Sequence, residues 1–216
     1  MTTESLDALF AAAVEQESDT PDAVADAAAA VRRALTAVLR TRRDLPGLAD
    51  IAARVHALAD DLGRRATPAR DRVEQMWNGE TGGARHSPVS GTRNAAALPV
   101  FWDRRDAGNV EGRANFTVAY QGPAGFVHGG VSALILDVAL AVANRHAGTA
   151  GMTAGLTIRY HRPIPLYRDL EIVAWHESIE GRKIRSRGEI RVDGEVYVSA
   201  EGLFVAPRSG VSDGDN

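Results

Sequence analysis

His128, Gly129 and Gly130 stand at the head of a helix-forming run, and Asp137 follows the histidine by nine positions. These residue types could act together on a carbonyl substrate. The first amide groups of a helix have no partner within it and lie at the positive end of its dipole. Glycine there lets a substrate approach bare N–H groups, which can hold an oxyanion. A carboxylate can take a proton from water or attack the carbonyl itself. Geometry limits how the two cooperate. Eight residues of helix separate Gly129 from Asp137 by about 12 Å along the axis, so one reacting carbon cannot meet both groups on one helix. If both act on it, they come from different copies of the chain, with two antiparallel helices meeting at a two-fold axis.

The helix that carries them follows a turn-rich segment, Gly122-Pro123-Ala124-Gly125-Phe126-Val127, and runs to about Arg145, where Ala147-Gly148 ends it. Val131, Leu134, Ile135, Val138 and Val142 recur at helical spacing and predict its buried stripe. Asp137 falls beside that stripe, on a flank shared with Gly130, Ala133 and Ala141. Small side chains there leave room for a neighbour. Before the helix, Pro99 to Trp102 reads as a strand, Asp106 to Asn109 as a turn, and Phe116, Val118 and Tyr120 as the inward positions of a half-buried strand. After it the period changes to two. Leu156, Ile158 and Tyr160 alternate with polar residues, Pro163-Ile164-Pro165 breaks that strand, and Leu170–Ile179 and Ile184–Val192 follow. Asp193-Gly194 is a two-residue hairpin signal leading into a last strand toward Phe204. One helix followed by a meander of strands is an α+β plan, with the sheet around a single buried helix.

The His-Gly-Gly triplet with its downstream acid resembles the signature of hot-dog-fold acyl-CoA thioesterases of the phenylacetate-pathway type. The resemblance runs from about Ser87 to Pro207. It implies a central helix wrapped by a curled antiparallel sheet, and composite sites in a homodimer or dimer of dimers. It also implies that Gly129 N–H polarises the thioester carbonyl, that His128 shapes the loop, that Asp137 activates water or attacks directly, and that Thr153 assists the water. Val127, Gly130, Ala133 and Ala141 then become the candidate substrate-binding positions. Some members carry Asn or Gln six residues before the histidine; this chain has Gly122 there, with Gln121 beside it. A thioester is already activated, so hydrolysis needs little beyond an oxyanion donor and a carboxylate, and no cofactor apart from the coenzyme A of the substrate. Arg159, Arg162, Arg168, Arg182 and Lys183 are candidates to meet the coenzyme A phosphates. The rival functions are a non-catalytic acyl-CoA-binding or regulatory protein and a hydratase or dehydratase of the same fold; the second would require a further catalytic residue, for which there is no motif.

Composition sets the outer bounds. The chain has 216 residues, a net charge of −3 and no cysteine. Disulfides, thiolate metal sites and a cysteine nucleophile are excluded, and a reducing cytoplasmic setting is expected. The charge balance does not suggest nucleic acid as a partner, and no apolar run approaches the roughly 20 residues that span a bilayer. The histidines show no paired metal-ligand spacing. Residues 1–78 read as a helical N-terminal extension. Ser5 caps a first helix with Leu6, Leu9, Phe10, Ala13 and Val14 on one side; a second begins at Thr20-Pro21-Asp22, with the proline at its first position; a third carries Ile51, Val55, Leu58 and Leu62; and a short fourth runs from Val73 to Trp77. The expectation is a helical hairpin packed on the domain or on its dimer mate. Residues 79–99 read as a linker or lead-in, 100–207 as the main domain and 208–216 as a flexible tail.

Overall fold

The computed structural model describes residues 22–71, 83–106 and 108–208. The predicted helices around Leu6–Val14 and Val73–Trp77 and the tail lie outside these residues. Six strands form one antiparallel sheet: β1 (Val100–Asp106), β2 (Asn109–Asn115), β3 (Met152–Tyr160), β4 (Asp169–Glu180), β5 (Lys183–Val192) and β6 (Glu195–Val205). Their order is β1-β2-β4-β5-β6-β3, so β1 and β3 are the edges. A single helix packed against the sheet, here α3 (Gly129–His146), joins β2 to β3 through the loops on either side. This is the α+β arrangement the periodicity predicts. The Asp193-Gly194 turn has positive φ at both residues, 52° and 79°, as a tight hairpin with right-handed strand twist requires.

The helix lies close to the sheet because β5 and β6 present glycines beneath it. A Cβ on Gly202 would stand 2.7 Å from Leu140 Cδ1, and one on Gly188 would stand 3.2 Å from Leu140 Cδ2. Leu140 is a knob seated where two strands lack side chains. Around it the core gathers Ile135, Leu136, Ala139 and Ala143 from the helix with Ile172, Ile184, Ile190, Val198 and Phe204 from the strands.

The buried face of α3 is broader than the predicted stripe and is rotated from it. Ser132, Leu136, Ala139, Leu140, Ala143 and Asn144 are buried along with Ile135 and Val142, whereas Leu134 is 38% exposed. A sheet that wraps a helix covers more than one stripe, and α3 is apolar on nearly every side, so periodicity alone could not select the face. The strand expected at Phe116–Tyr120 is also absent. Phe116 and Thr117 are irregular, and Val118–Tyr120 form a 3₁₀ turn with Thr117 Oγ1 accepting from Ala119 N. Phe116 and Tyr120 meet edge to face, 5.2 Å between centroids. Apolar residues four apart suit a turn as well as two steps of a strand.

Before the sheet, the described residues include two long helices. α1 (Ala23–Leu39) starts at its cap Asp22, whose side chain accepts from Val24 N and Ala25 N, so no proline occupies the first helical position. α2 (Leu48–Arg65) begins after Gly47, at φ 74°. α1 docks on the domain: Ala28 is buried, Arg32 donates to Asn94 O at 2.7 Å, and Arg93 Nε donates to Asp22 Oδ2 at 2.7 Å, with Arg85 3.6 Å away. α2 has no buried residue, and Ile51, Val55, Leu58 and Leu62 stand exposed along it. Within one chain, packing on the domain is therefore seen for α1 and not for α2. In the segment read as linker, Val89, Ala97 and Leu98 are buried, and Val89 and Leu98 join the core cluster.

Asp22 ties this docking to pH. The Arg93 hydrogen bond, aided by the Ala25 and Val24 amides, holds its carboxyl below the ordinary 3.8. A lowered folded-state value means that the contribution is complete above the ordinary value and is lost as pH falls through the lowered one. We expect α1 to loosen below about pH 3.8 while the sheet persists. At neutral pH, Asp22→Ala should speed tryptic cleavage after Arg32 and Arg33 without unfolding residues 100–207. Equal cleavage of both proteins would show that α1 is held by something other than these pairs.

Candidate functional site

The loop that leads into α3 is fixed from three sides. Gly122 N donates to Phe126 O, closing the turn at 2.9 Å, and Gln121 Oε1 accepts from Gly125 N at 3.0 Å. The loop is then stitched to the segment after β3: Val127 N donates to Ile164 O at 2.9 Å and Leu166 N to Gly125 O at 3.0 Å. His128 N donates to Tyr120 O at 2.9 Å. Tyr120 in turn donates its hydroxyl to Ala97 O at 3.3 Å, and burial raises its phenol above the ordinary value, so it stays a neutral donor.

His128 is the helix cap. Its Nδ1 accepts from Gly130 N at 3.0 Å, which places the proton of the neutral ring on Nε2. Its carbonyl accepts from Val131 N at 2.9 Å and Ser132 N at 3.4 Å. Three of the four orphan amides of this helix start, those of His128, Gly130 and Val131, are thus satisfied. Gly129 N–H is left without an acceptor among the described residues. It borders a cleft of about 310 Å³ whose walls include Pro123, Phe126, Val127, Ser132, Tyr160 and Ile164. A Cβ here would stand 3.3–3.4 Å from the Tyr160 ring, so a larger residue would press on that ring.

Asp137 stands two turns further along α3. Thr153 Oγ1 donates to its Oδ1 at 2.9 Å. Both are only partly covered, on the flank that Gly130, Leu134 and Ala141 leave open. A bulge brings Thr153 there. Thr153 pairs with Phe204 and Gly155 with Leu203, so Ala154 is the extra residue. Side chains alternate along a strand, and one extra residue reverses the alternation. Thr153 consequently faces the helix, as do Leu156 and Ile158, which pack against the core.

Of the predicted site residues, then, the structure brings Val127 and Gly129 together at the cleft, with His128 between them in sequence as the helix cap, and Asp137 with Thr153 about 12 Å further along the helix. Gly130 caps onto His128, and Ala133 and Ala141 lie half-buried on the open flank with Asp137. Tyr160 is a residue the pattern did not single out. It was legible only as one more alternating strand position, yet its hydroxyl donates to Gly129 O at 3.0 Å. Gln121 faces its own loop, and Gly122 has no room for a side chain: a Cβ would stand 2.9 Å from His128 Cα. Among the candidate phosphate ligands, Arg162 pairs with Glu195 and lies over the Tyr197 ring, and Arg168 pairs with Asp193. Arg182 donates to Ala206 O, while Arg159 and Lys183 have no such partner among the described residues. A larger cleft of about 480 Å³ lies among Phe101, Arg113, Asn115, Asp169, Glu171 and Asp193, with no residue of the motif; its size does not outweigh the chemistry gathered around Gly129. Among the described residues no group of three or more His, Cys, Asp or Glu could hold a metal ion, and no helix is long and apolar enough to cross a membrane.

The contact at Gly122 yields a direct test. Gly122→Ala should lower stability by about 1–3 kcal/mol through overpacking against the His128 backbone, a shift of several degrees in Tm. Gly155→Ala, where a Cβ meets nothing within 4 Å, should change Tm far less. Equal shifts would refute a steric origin.

Comparison with known proteins places the chain in a family. The family model described as thioesterase superfamily matches residues 124–199, from the loop before Gly129 to β6. A curated relative, the acyl-coenzyme A thioesterase THEM4 of Mus musculus, is 40% identical over 87 residues, which cover 39% of this chain and 37% of the relative. The counterpart from Bos taurus is 38% identical over the same length, covering 39% of this chain and 35% of its own. This chain thus spans little more than a third of the curated relatives it matches. Among solved structures, a thioesterase superfamily protein is 46% identical, with a TM-score of 0.78 over 88% of this chain and 94% of that one. Zebrafish thioesterase superfamily member 2, at 15% identity and a TM-score of 0.50 over 64% of this chain and 99% of its own, shares the fold. With nearly the whole of a 46% identical superfamily member covered by this sequence, and the same family matched across the loop, helix and strands that build the site, the chain belongs to the thioesterase superfamily and has its hot-dog fold.

Proposed function

We propose that the protein is an acyl-CoA thioesterase that hydrolyses the thioester to a carboxylic acid and free coenzyme A. One observation carries this reading: a helix of the thioesterase fold leaves a single unpaired donor, Gly129 N–H, at a cleft, and holds a carboxylate, Asp137, against Thr153 on its open flank. The thioester carbonyl oxygen would sit on Gly129 N–H, where the helix dipole favours the charge that develops on it. Asp137 would take a proton from water, or attack to form a mixed anhydride that water then opens. Thr153 would orient the carboxylate and the attacking water. The thiolate leaves and is protonated, so no cofactor is consumed. His128 shapes the donor, since its Nδ1 holds Gly130 N.

The axial separation supports a site shared between two copies, with Gly129 and His128 from one chain and Asp137 and Thr153 from the other. The open features of the monomer suit such pairing. β3 is an edge strand, Met152 is 65% exposed and Leu134 38%, and the small residues Ala133 and Ala141 flank Asp137. The acyl-CoA class follows the activity of the curated relatives; the kinship to the phenylacetate-pathway branch rests on the His128–Asp137 motif. Ala133, Ala141 and Val127 would line the acyl path.

Cleavage of short, medium and aromatic acyl-CoAs, read by thiol release, tests the activity. Asp137→Ala should lower kcat by at least about 10²-fold with the fold intact. Unchanged turnover would remove Asp137 from the mechanism, and intact binding with no cleavage by the wild type would favour a non-catalytic acyl-CoA-binding protein.

The shared site has its own test. Asp137→Ala is mixed with a second inactive variant carrying a bulky residue at Gly129. A mixed dimer then holds one site with both defects and one with neither, so about a quarter of wild-type activity should return for random pairing of equal amounts. No recovery, with mixed dimers shown to form, would mean that both groups act within one chain.

A further inference from the structure

We propose that Tyr160 is a positioning residue for the oxyanion donor, acting as one jaw of a clamp on the Gly129–Gly130 peptide; this rests on the role given above to Gly129 N–H. Two consecutive glycines have more backbone freedom than any other pair, which is a poor foundation for a donor that must be aimed. The structure holds the peptide between them at both ends. Its N–H, from Gly130, donates to His128 Nδ1 at 3.0 Å, and its C=O, from Gly129, accepts the Tyr160 hydroxyl at 3.0 Å. The Tyr160 ring also closes the space above the Gly129 Cα. The preceding peptide, which carries the Gly129 N–H, is held through its carbonyl by Val131 N and Ser132 N. With both peptides held, only the Gly129 N–H points away unpaired, and Tyr160 itself forms a wall of the cleft it faces.

Tyr160 is 54% exposed, so burial does not explain its placement. It ends the edge strand β3, whose other end carries Thr153 hydrogen-bonded to Asp137. One strand thus touches both chemical groups of its own chain, through Tyr160 at the donor and Thr153 at the carboxylate. Displacement of reacting groups by about 1 Å can cost 10²-fold in rate, and loss of the clamp should cost part of that.

Tyr160→Phe removes the hydroxyl and keeps the ring. In a wild-type enzyme that cleaves acyl-CoA, kcat should fall about 10-fold with KM within about two-fold, because the donor matters more to the transition state than to the bound substrate. Tyr167→Phe is the control, since it removes a hydroxyl that accepts from Val118 N and does not touch Gly129; it should leave kcat unchanged. Amide exchange of Gly130, whose N–H is held by His128 Nδ1, in protein labelled with ¹⁵N-glycine reads the clamp without any turnover, and should quicken in Tyr160→Phe alone. Unchanged exchange would overturn the clamp whether or not the protein is an enzyme. Faster exchange with unaltered kcat would overturn the positioning role. A wild type that cleaves no acyl-CoA would overturn the proposed activity and the catalytic half of this inference, while exchange would still decide the clamp.

Discussion

The close approach of α3 to the sheet is the constraint on which the rest depends. Leu140 occupies space that a side chain on Gly188 or Gly202 would fill. Fully burying such a side chain contributes about 1.5–3 kcal/mol, and here it also fixes how far the helix lies from the sheet. That depth locates both ends of α3. The N-terminus meets the Gly122–His128 loop, and the C-terminus is held by a polar cluster in which Asn144 donates to Ser186 Oγ and accepts from the His176 ring. A buried Asn would be costly without these partners.

Fixed at this depth, the helix start becomes a place where nearly every polar group is used. The stitching of residues 125–127 to 164–166, the His128 cap and the carbonyl contacts of His128 and Gly129 satisfy the turn and leave one donor over. In the proposed reading, selective satisfaction of this kind gives ordinary backbone an anion site. The dipole supplies the sign of the field, and the unpaired N–H supplies its direction. The histidine contributes as a hydrogen-bond acceptor, a role fixed by its position at the cap.

The flank of α3 that carries Asp137 is the least covered part of the core element. Leu134, Met152 and most of β3 are exposed while the opposite face of the helix is closed by the sheet. An edge strand leaves backbone groups open beside half-buried small residues. The same asymmetry separates the two chemical groups, because the donor lies at a closed loop and the carboxylate on the open side. α2, with its apolar row exposed, is a second uncovered surface, and α1 is anchored to the domain by charge more than by burial.

The sequence by itself determined the plan of the fold and marked the candidate residues. The switch of period after Gly148, the Asp193-Gly194 turn and the His128-Gly129-Gly130 start mark elements whose local physics needs no distant partner. Asp137 stood out because an acid beside an apolar helix face is costly unless something meets it. Only the tertiary structure decided which face of α3 is buried, because the wrapping sheet covers most of a helix that is apolar nearly all round. It alone showed that Thr153 faces the helix, since the Ala154 bulge reverses an alternation that local sequence leaves unmarked. It turned Phe116–Tyr120 from a strand into a 3₁₀ turn, because spacing by four fits both until the neighbouring loops choose. And it gave Tyr160 its place, since a hydrogen bond spanning 31 residues depends on how β3 crosses the helix, which no local pattern encodes.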